Sequence, residues 1–156
     1  MPAPNARRRT LLIGLPVAAA AAFGIFLWPE APLPEGAGVL DPDEAFARVR
    51  SGEVWLIDIR RPDEWALTGI AAGAIPLDMR RDDFASALAE ATAADPDRPL
   101  AVICARGVRS RRLTLRLHEA GHRRIFDVPE GMLGSRDGPG WLERGLPIDQ
   151  APGATG

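Results

Sequence analysis

Lysine and tyrosine are absent from this 156-residue chain, and cysteine occurs once, at position 104. Without lysine, all 19 basic residues are arginines, a usage that reads as a G+C-rich coding bias more than a functional choice. One cysteine excludes an internal disulfide, so Cys104 is either an inert, buried small hydrophobe or a free thiol with a task. Histidine is nearly as scarce. His118 and His122 stand at helical metal-pair spacing, but Gly121 interrupts them and no third ligand is near, so a surface pair is expected and a metal site is not. No phosphate-binding P-loop is present, and no Ser-His-Asp or Cys-His arrangement emerges from the spacing. A net charge of −2 gives no support to nucleic acid as a partner.

The length allows one domain with a proper core. Ahead of it, residues 1–10 carry Arg7-Arg8-Arg9, and residues 11–28 form a run of 18 without charge, at the lower edge of what spans a bilayer. The positive-inside rule places residues 1–10 in the cytoplasm and the rest of the chain on the exported, periplasmic side. Arg8-Arg9-Thr10-Leu11-Leu12 also resembles a twin-arginine export signal, and Ala20-Ala21-Ala22 could serve as a processing site. Because the apolar run continues to Trp28, a retained single-pass anchor is preferred over a cleaved signal and a secreted product. Residues 29–36, rich in Pro and Gly, read as a linker; residues 37–150 as the domain; residues 151–156 as a flexible tail.

Within the domain, Asp41-Pro42-Asp43-Glu44 is a helix start with Asp41 as N-cap and Glu44 at the third helical position of a capping box. The helix is expected to end at Ser51-Gly52 after burying Ala45, Phe46 and Val49. Residues 54–59 form a nearly continuous apolar run of strand length, which points to a parallel sheet covered on both faces. Asp58 interrupts that run near its carboxyl end, where such sheets place functional groups. The spacing predicts that Asp58, Arg60 and Glu64 form a local supporting network over Trp65. A brief edge strand at 74–77, a helix over 84–94 and a last core strand at 125–128 follow, and Trp141-Leu142 packs a final short helix ending at Gly145.

The most informative stretch is residues 100–110, Leu-Ala-Val-Ile-Cys-Ala-Arg-Gly-Val-Arg-Ser. It reads as strand, tight loop, then a helix from Ser110 carrying Leu113, Leu117 and Ala120 on one face. Backbone N–H groups of residues 105–110 can curl around the thiol, the positive end of the following helix points at it, and Arg106 and Arg109 add charge. All three favour the nucleophilic thiolate. Arg111 and Arg112 oppose the helix dipole, with no acid before Glu119, so they either extend an anion site or form a solvated arginine face.

Leu56-Ile-Asp-Ile-Arg60 with Glu64-Trp65, then Gly73-Ala74-Ile75, then Cys104 to Ser110, then Gly131-Met132 and residues 140–147 together resemble a single rhodanese domain. The resemblance spans nearly all of the exported part. It implies an α/β fold with a five-stranded parallel sheet and helices on both faces, here preceded by one N-terminal transmembrane helix. It also implies sulfur transfer through a persulfide on Cys104, with Ala105, Arg106, Gly107, Val108, Arg109 and Ser110 as the active-site loop and Asp58, Arg60 and Glu64 as scaffold. The implied partners are a small anionic, thiosulfate-like donor and a thiol or cyanide acceptor, which could be a protein; neither cofactor nor metal is called for. Two positions depart from the family pattern, which has a histidine within the segment matched by Gly69 to Ala74 and an aromatic residue at His122. The alternatives are a membrane-anchored module that binds a partner or senses sulfide or redox state without catalysis, and a cysteine phosphatase. The phosphatase spacing of Cys, five residues, Arg puts Ser110 where the arginine belongs.

Overall fold

A computed structural model describes residues 32–151. The expected cytoplasmic stretch and membrane segment, residues 1–28, most of the tail and the start of the linker lie outside the described residues. Among the described residues, no helix is long and apolar enough to cross a membrane.

Among the described residues, seven strands and five helices follow one another: β1 (Ala37–Val39), α1 (Pro42–Ser51), β2 (Trp55–Asp58), α2 (Pro62–Thr68), β3 (Ile70–Ala71), β4 (Ile75–Pro76), α3 (Phe84–Ala91), β5 (Leu100–Ile103), α4 (Val108–Glu119), β6 (Ile125–Val128), α5 (Gly140–Glu143) and β7 (Ile148–Asp149). Local chemistry sets these boundaries. The Asp41 carboxylate accepts the Glu44 N–H at 2.8 Å, and Pro42 occupies the first helical position, where its missing N–H costs nothing. Glu44 turns to Arg48 instead of completing a capping box.

The main sheet runs β1-β6-β5-β2-β4, all parallel. Alternation along its central strands feeds two cores. Leu56, Ala101, Ile103 and Val128 pack with Leu40, Ala45, Met132 and Trp141 on one face, under α1 and α5. Ile57, Leu100, Val102 and Ile125 pack with Leu88, Leu113 and Leu117 on the other, under α3 and α4. A sheet buried on both faces accounts for strands that read as unbroken apolar runs.

Several details differ from the sequence reading. The fifth strand is β1, on the edge beside β6, where Gly38 and its neighbours gave no alternation. Ile70–Ala71, which showed no strand pattern in the sequence, pairs antiparallel with β7. Helix α3 stops at Ala91, short of residue 94. Ala120 is exposed, while His118 is buried with Nε2 2.9 Å from the Glu35 carbonyl, so the two histidines are not a surface pair.

Candidate active site

Cys104 follows directly on β5, at the carboxyl end of the middle strand of the sheet, where parallel α/β folds gather their chemistry. The chain then turns through Ala105, Arg106 and Gly107 into α4. Gly107 has φ of +83°, and a Cβ there would lie 2.1 Å from the Pro129 carbonyl oxygen, so only glycine fits. This left-handed residue starts the helix at Val108, two residues before the expected Ser110. The Arg111 N–H bonds the Gly107 carbonyl at 3.0 Å, which leaves the N–H groups of Val108, Arg109 and Ser110 as the spare donors of a helix start.

A second segment, residues 129–134, holds the loop from the other side. Met132 N–H donates to the Cys104 carbonyl and Leu133 N–H to that of Ala105, both at 2.9 Å, and the Arg106 guanidinium reaches the Gly134 carbonyl at 3.2 Å. Gly131 fits against Ala105 so closely that a Cβ would come within 2.6 Å of its carbonyl. In the sequence, Gly131-Met132 enters only through the family resemblance, with no role of its own; the closely spaced Gly131 and Gly134 are the signal of a close backbone approach.

The thiol itself is 1% exposed. Its S–H donates to Ser110 Oγ at 3.5 Å, and that buried hydroxyl donates in turn to the Gly107 carbonyl at 2.9 Å. Among the loop residues, Ala105 and Arg109 are half-buried, Gly107 and Ser110 buried, and Arg106 and Val108 exposed.

The supporting residues divide into two sets. Asp58, the last residue of β2 and paired in register with Ile103, is fully buried and receives the Arg60 guanidinium through both carboxylate oxygens, at 2.7 to 3.1 Å. Arg60, also buried, spends its remaining donors on the Thr68 hydroxyl at 2.8 Å and the Gly69 carbonyl at 2.7 Å, tying the end of α2 to the strand. Trp65, next to Glu64 in sequence, is buried. Glu64 belongs elsewhere: Arg60 reaches only its backbone carbonyl, at 3.4 Å, while its carboxylate grips Arg109 bidentately at 2.5 and 2.8 Å. The same carboxylate accepts the Arg61 N–H at 3.0 Å, capping the start of α2. The single local network expected is therefore a buried pair plus a long-range clamp from α2 to α4. The Arg109 hydrogen bonds hold the Glu64 carboxyl below the ordinary glutamate range, and Glu64 raises Arg109 in return.

Of the two arginines left open by the sequence, Arg112 lies in a groove of about 520 Å³ lined by Met79, Arg109, Leu115 and Arg116, along α4 and next to the loop. Among the described residues, no group of three His, Cys, Asp or Glu side chains is placed to hold a metal.

Residues 41–135 match the family model of the Rhodanese-like domain. The chain belongs to this family. The matched span of the rhodanese-like domain contains Asp58, Arg60, Glu64, the whole cysteine loop and the 129–134 segment. The domain resembles the polysulfide-sulfur transferase homodimer of Wolinella succinogenes at 26% identity and a TM-score of 0.58, over 78% of this chain and 84% of that one. It shares its fold with a rhodanese-related protein of Thermoplasma volcanium, at 23% identity and 0.52, over 71% and 96% of the two chains. EanB, in complex with ergothioneine covalently linked with a persulfide, has the same fold in part: 18% identity and a TM-score of 0.57, over 72% of this chain and 28% of EanB. Among curated proteins, none matches the chain's sequence.

Proposed function

We propose that the chain is a sulfurtransferase that accepts sulfane sulfur from a small anionic donor onto Cys104 and passes it to a thiol or to cyanide. The observation that carries this reading is the junction of β5 and α4: one thiol, ringed by a glycine-turned loop and the start of a helix, with Arg109 clamped beside it by Glu64. The kinship with a polysulfide-sulfur transferase supports it.

The Cys104 thiolate attacks the terminal sulfur of the donor. With thiosulfate, the S–S bond of the donor breaks, sulfite leaves with the bonding pair, and Cys–S–S⁻ remains. Loop amides at the start of α4 and the positive end of the helix offset its charge. Ser110 assists in two states: its oxygen accepts a hydrogen bond from the thiol at rest, and once the sulfur is a thiolate its O–H can turn from the Gly107 carbonyl to donate to sulfur. In the second half-reaction the acceptor attacks the outer sulfur, which leaves with it, and the Cys104 thiolate returns. This is ping-pong chemistry. Deep burial of the thiol favours donors that present a bare terminal sulfur over bulky electrophiles.

Steady-state transfer from thiosulfate and from polysulfide to cyanide tests the proposal. Parallel double-reciprocal lines and thiocyanate formation that vanishes in Cys104→Ser support it; a folded protein inert with both donors overturns it. Arg7–Arg9 ahead of residues 11–28 further suggests a membrane anchor with the domain exported. A reporter enzyme active only outside the cytoplasm, fused after Gly156, is expected to be active, and an inactive but intact fusion contradicts that placement.

A further inference from the structure

The groove beside the cysteine loop has a composition that the transfer of one sulfur atom does not require. Its lining is apolar at Met79 and Leu115 and basic at Arg109, Arg112 and Arg116. These three arginines recur at three and four residues along α4, and so share one face of the helix. Arg109 is engaged by Glu64, but Arg112 and Arg116 are exposed on the same helix, with no acid in α4 before Glu119. Next to the groove, Val108 is 59% exposed and, on the segment that braces the loop, Leu133 is 41% exposed. Two exposed apolar side chains thus sit on the cysteine loop's helix start and on the segment that braces the loop, and the basic groove begins at Arg109 beside the first of them. An apolar centre with a charged flank is the composition of a protein-docking surface.

Building on the sulfurtransferase reading, we propose that the physiological acceptor is a protein thiol on an acidic segment, whose Asp and Glu side chains seat in the Arg112–Arg116 groove while an apolar neighbour covers Val108 and Leu133. Charge complementarity commits the site to an anionic partner. It also argues against a second copy of this chain, because a two-fold contact through this face would set the arginines against themselves. A single thiosulfate-sized anion leaves most of a groove of about 520 Å³ unused.

Two cysteine peptides test this on the full chain, one with acidic and one with lysine flanks, together with their serine versions as binding probes. The acidic serine peptide is expected to bind at low salt at least about tenfold more tightly than the basic one and to weaken as ionic strength rises. The double substitution Arg112→Glu/Arg116→Glu is expected to reverse that preference while thiocyanate formation continues. Once Cys104 is persulfidated, the acidic cysteine peptide is expected to receive sulfur faster by a similar factor. Equal binding of the two serine peptides to the unsubstituted protein overturns the proposal without depending on the fold of any variant. Tight, peptide-blind binding to phosphatidylglycerol vesicles also overturns it in favour of a membrane surface. Selective binding of the acidic peptide without any sulfur loading on Cys104 would retain the docking surface and defeat the sulfurtransferase reading instead.

Discussion

At the level of single residues, Glu64 serves two elements at once: it caps α2 through the Arg61 N–H and fixes Arg109 at the start of α4. Its carboxyl titrates below the ordinary range because Arg109 favours the charged form, so the stability it contributes is complete above the unfolded-state value and lost as pH falls through the lower folded value. Glu64→Gln is therefore expected to lower the urea midpoint at pH 7, with the gap to the unsubstituted protein closing below about pH 4.3, the ordinary glutamate value. A gap independent of pH would show that the clamp is not the cause. The buried Asp58–Arg60 pair has a different signature. Arg60→Ala leaves a fully buried carboxylate without its counter-ion and is expected to cost about 3–5 kcal/mol in denaturant unfolding. A loss below about 1 kcal/mol, the worth of an exposed pair, would mean that the site is wetter than its burial implies.

Among the elements, those with a strong local rule were legible in the sequence and those without one were not. Asp41, Pro42 and Gly52 delimit α1 by side-chain and left-handed caps, and both ends lie where the sequence put them. Asp41→Ala is expected to lower stability by about 1 kcal/mol, read as a shift in thermal midpoint. The two-residue strands β3 and β7 were illegible, since no alternation can be read in two residues and their pairing joins Ile70 to Asp149 across the chain. The onset of α4 was misplaced for another reason: what ends the loop is the left-handed φ of Gly107, fixed by the approach of Pro129 from a different part of the chain. Gly107→Ala is expected to destabilise by more than about 1 kcal/mol and to slow sulfur transfer, because a Cβ there meets backbone that cannot move aside independently. Unfolding and kinetic measurements on the same preparation check both effects.

For the molecule as a whole, the candidate site is an assembly of three segments brought to one end of a parallel sheet: the end of β2 with α2, the β5–α4 loop, and residues 129–134. The sequence displayed the middle segment openly, as four apolar residues, a cysteine and a glycine-containing basic loop. It displayed the first as acids and arginines whose local spacing suggested mutual pairing, whereas the fold sends Glu64 to an arginine 45 residues away. It concealed the role of the third, because turn-rich composition does not say which backbone a glycine lets approach. The first and third both hold the loop that carries the thiol, through Arg109 and through the carbonyls of Cys104 and Ala105. The most direct test is intact mass spectrometry of the full chain after exposure to thiosulfate or polysulfide, followed by cyanide. The account predicts a gain of about 32 Da, one sulfur on a thiolate nucleophile, mapped to Cys104, erased by cyanide and absent in Cys104→Ser. A folded protein whose free thiol gains no sulfur from either donor would contradict it.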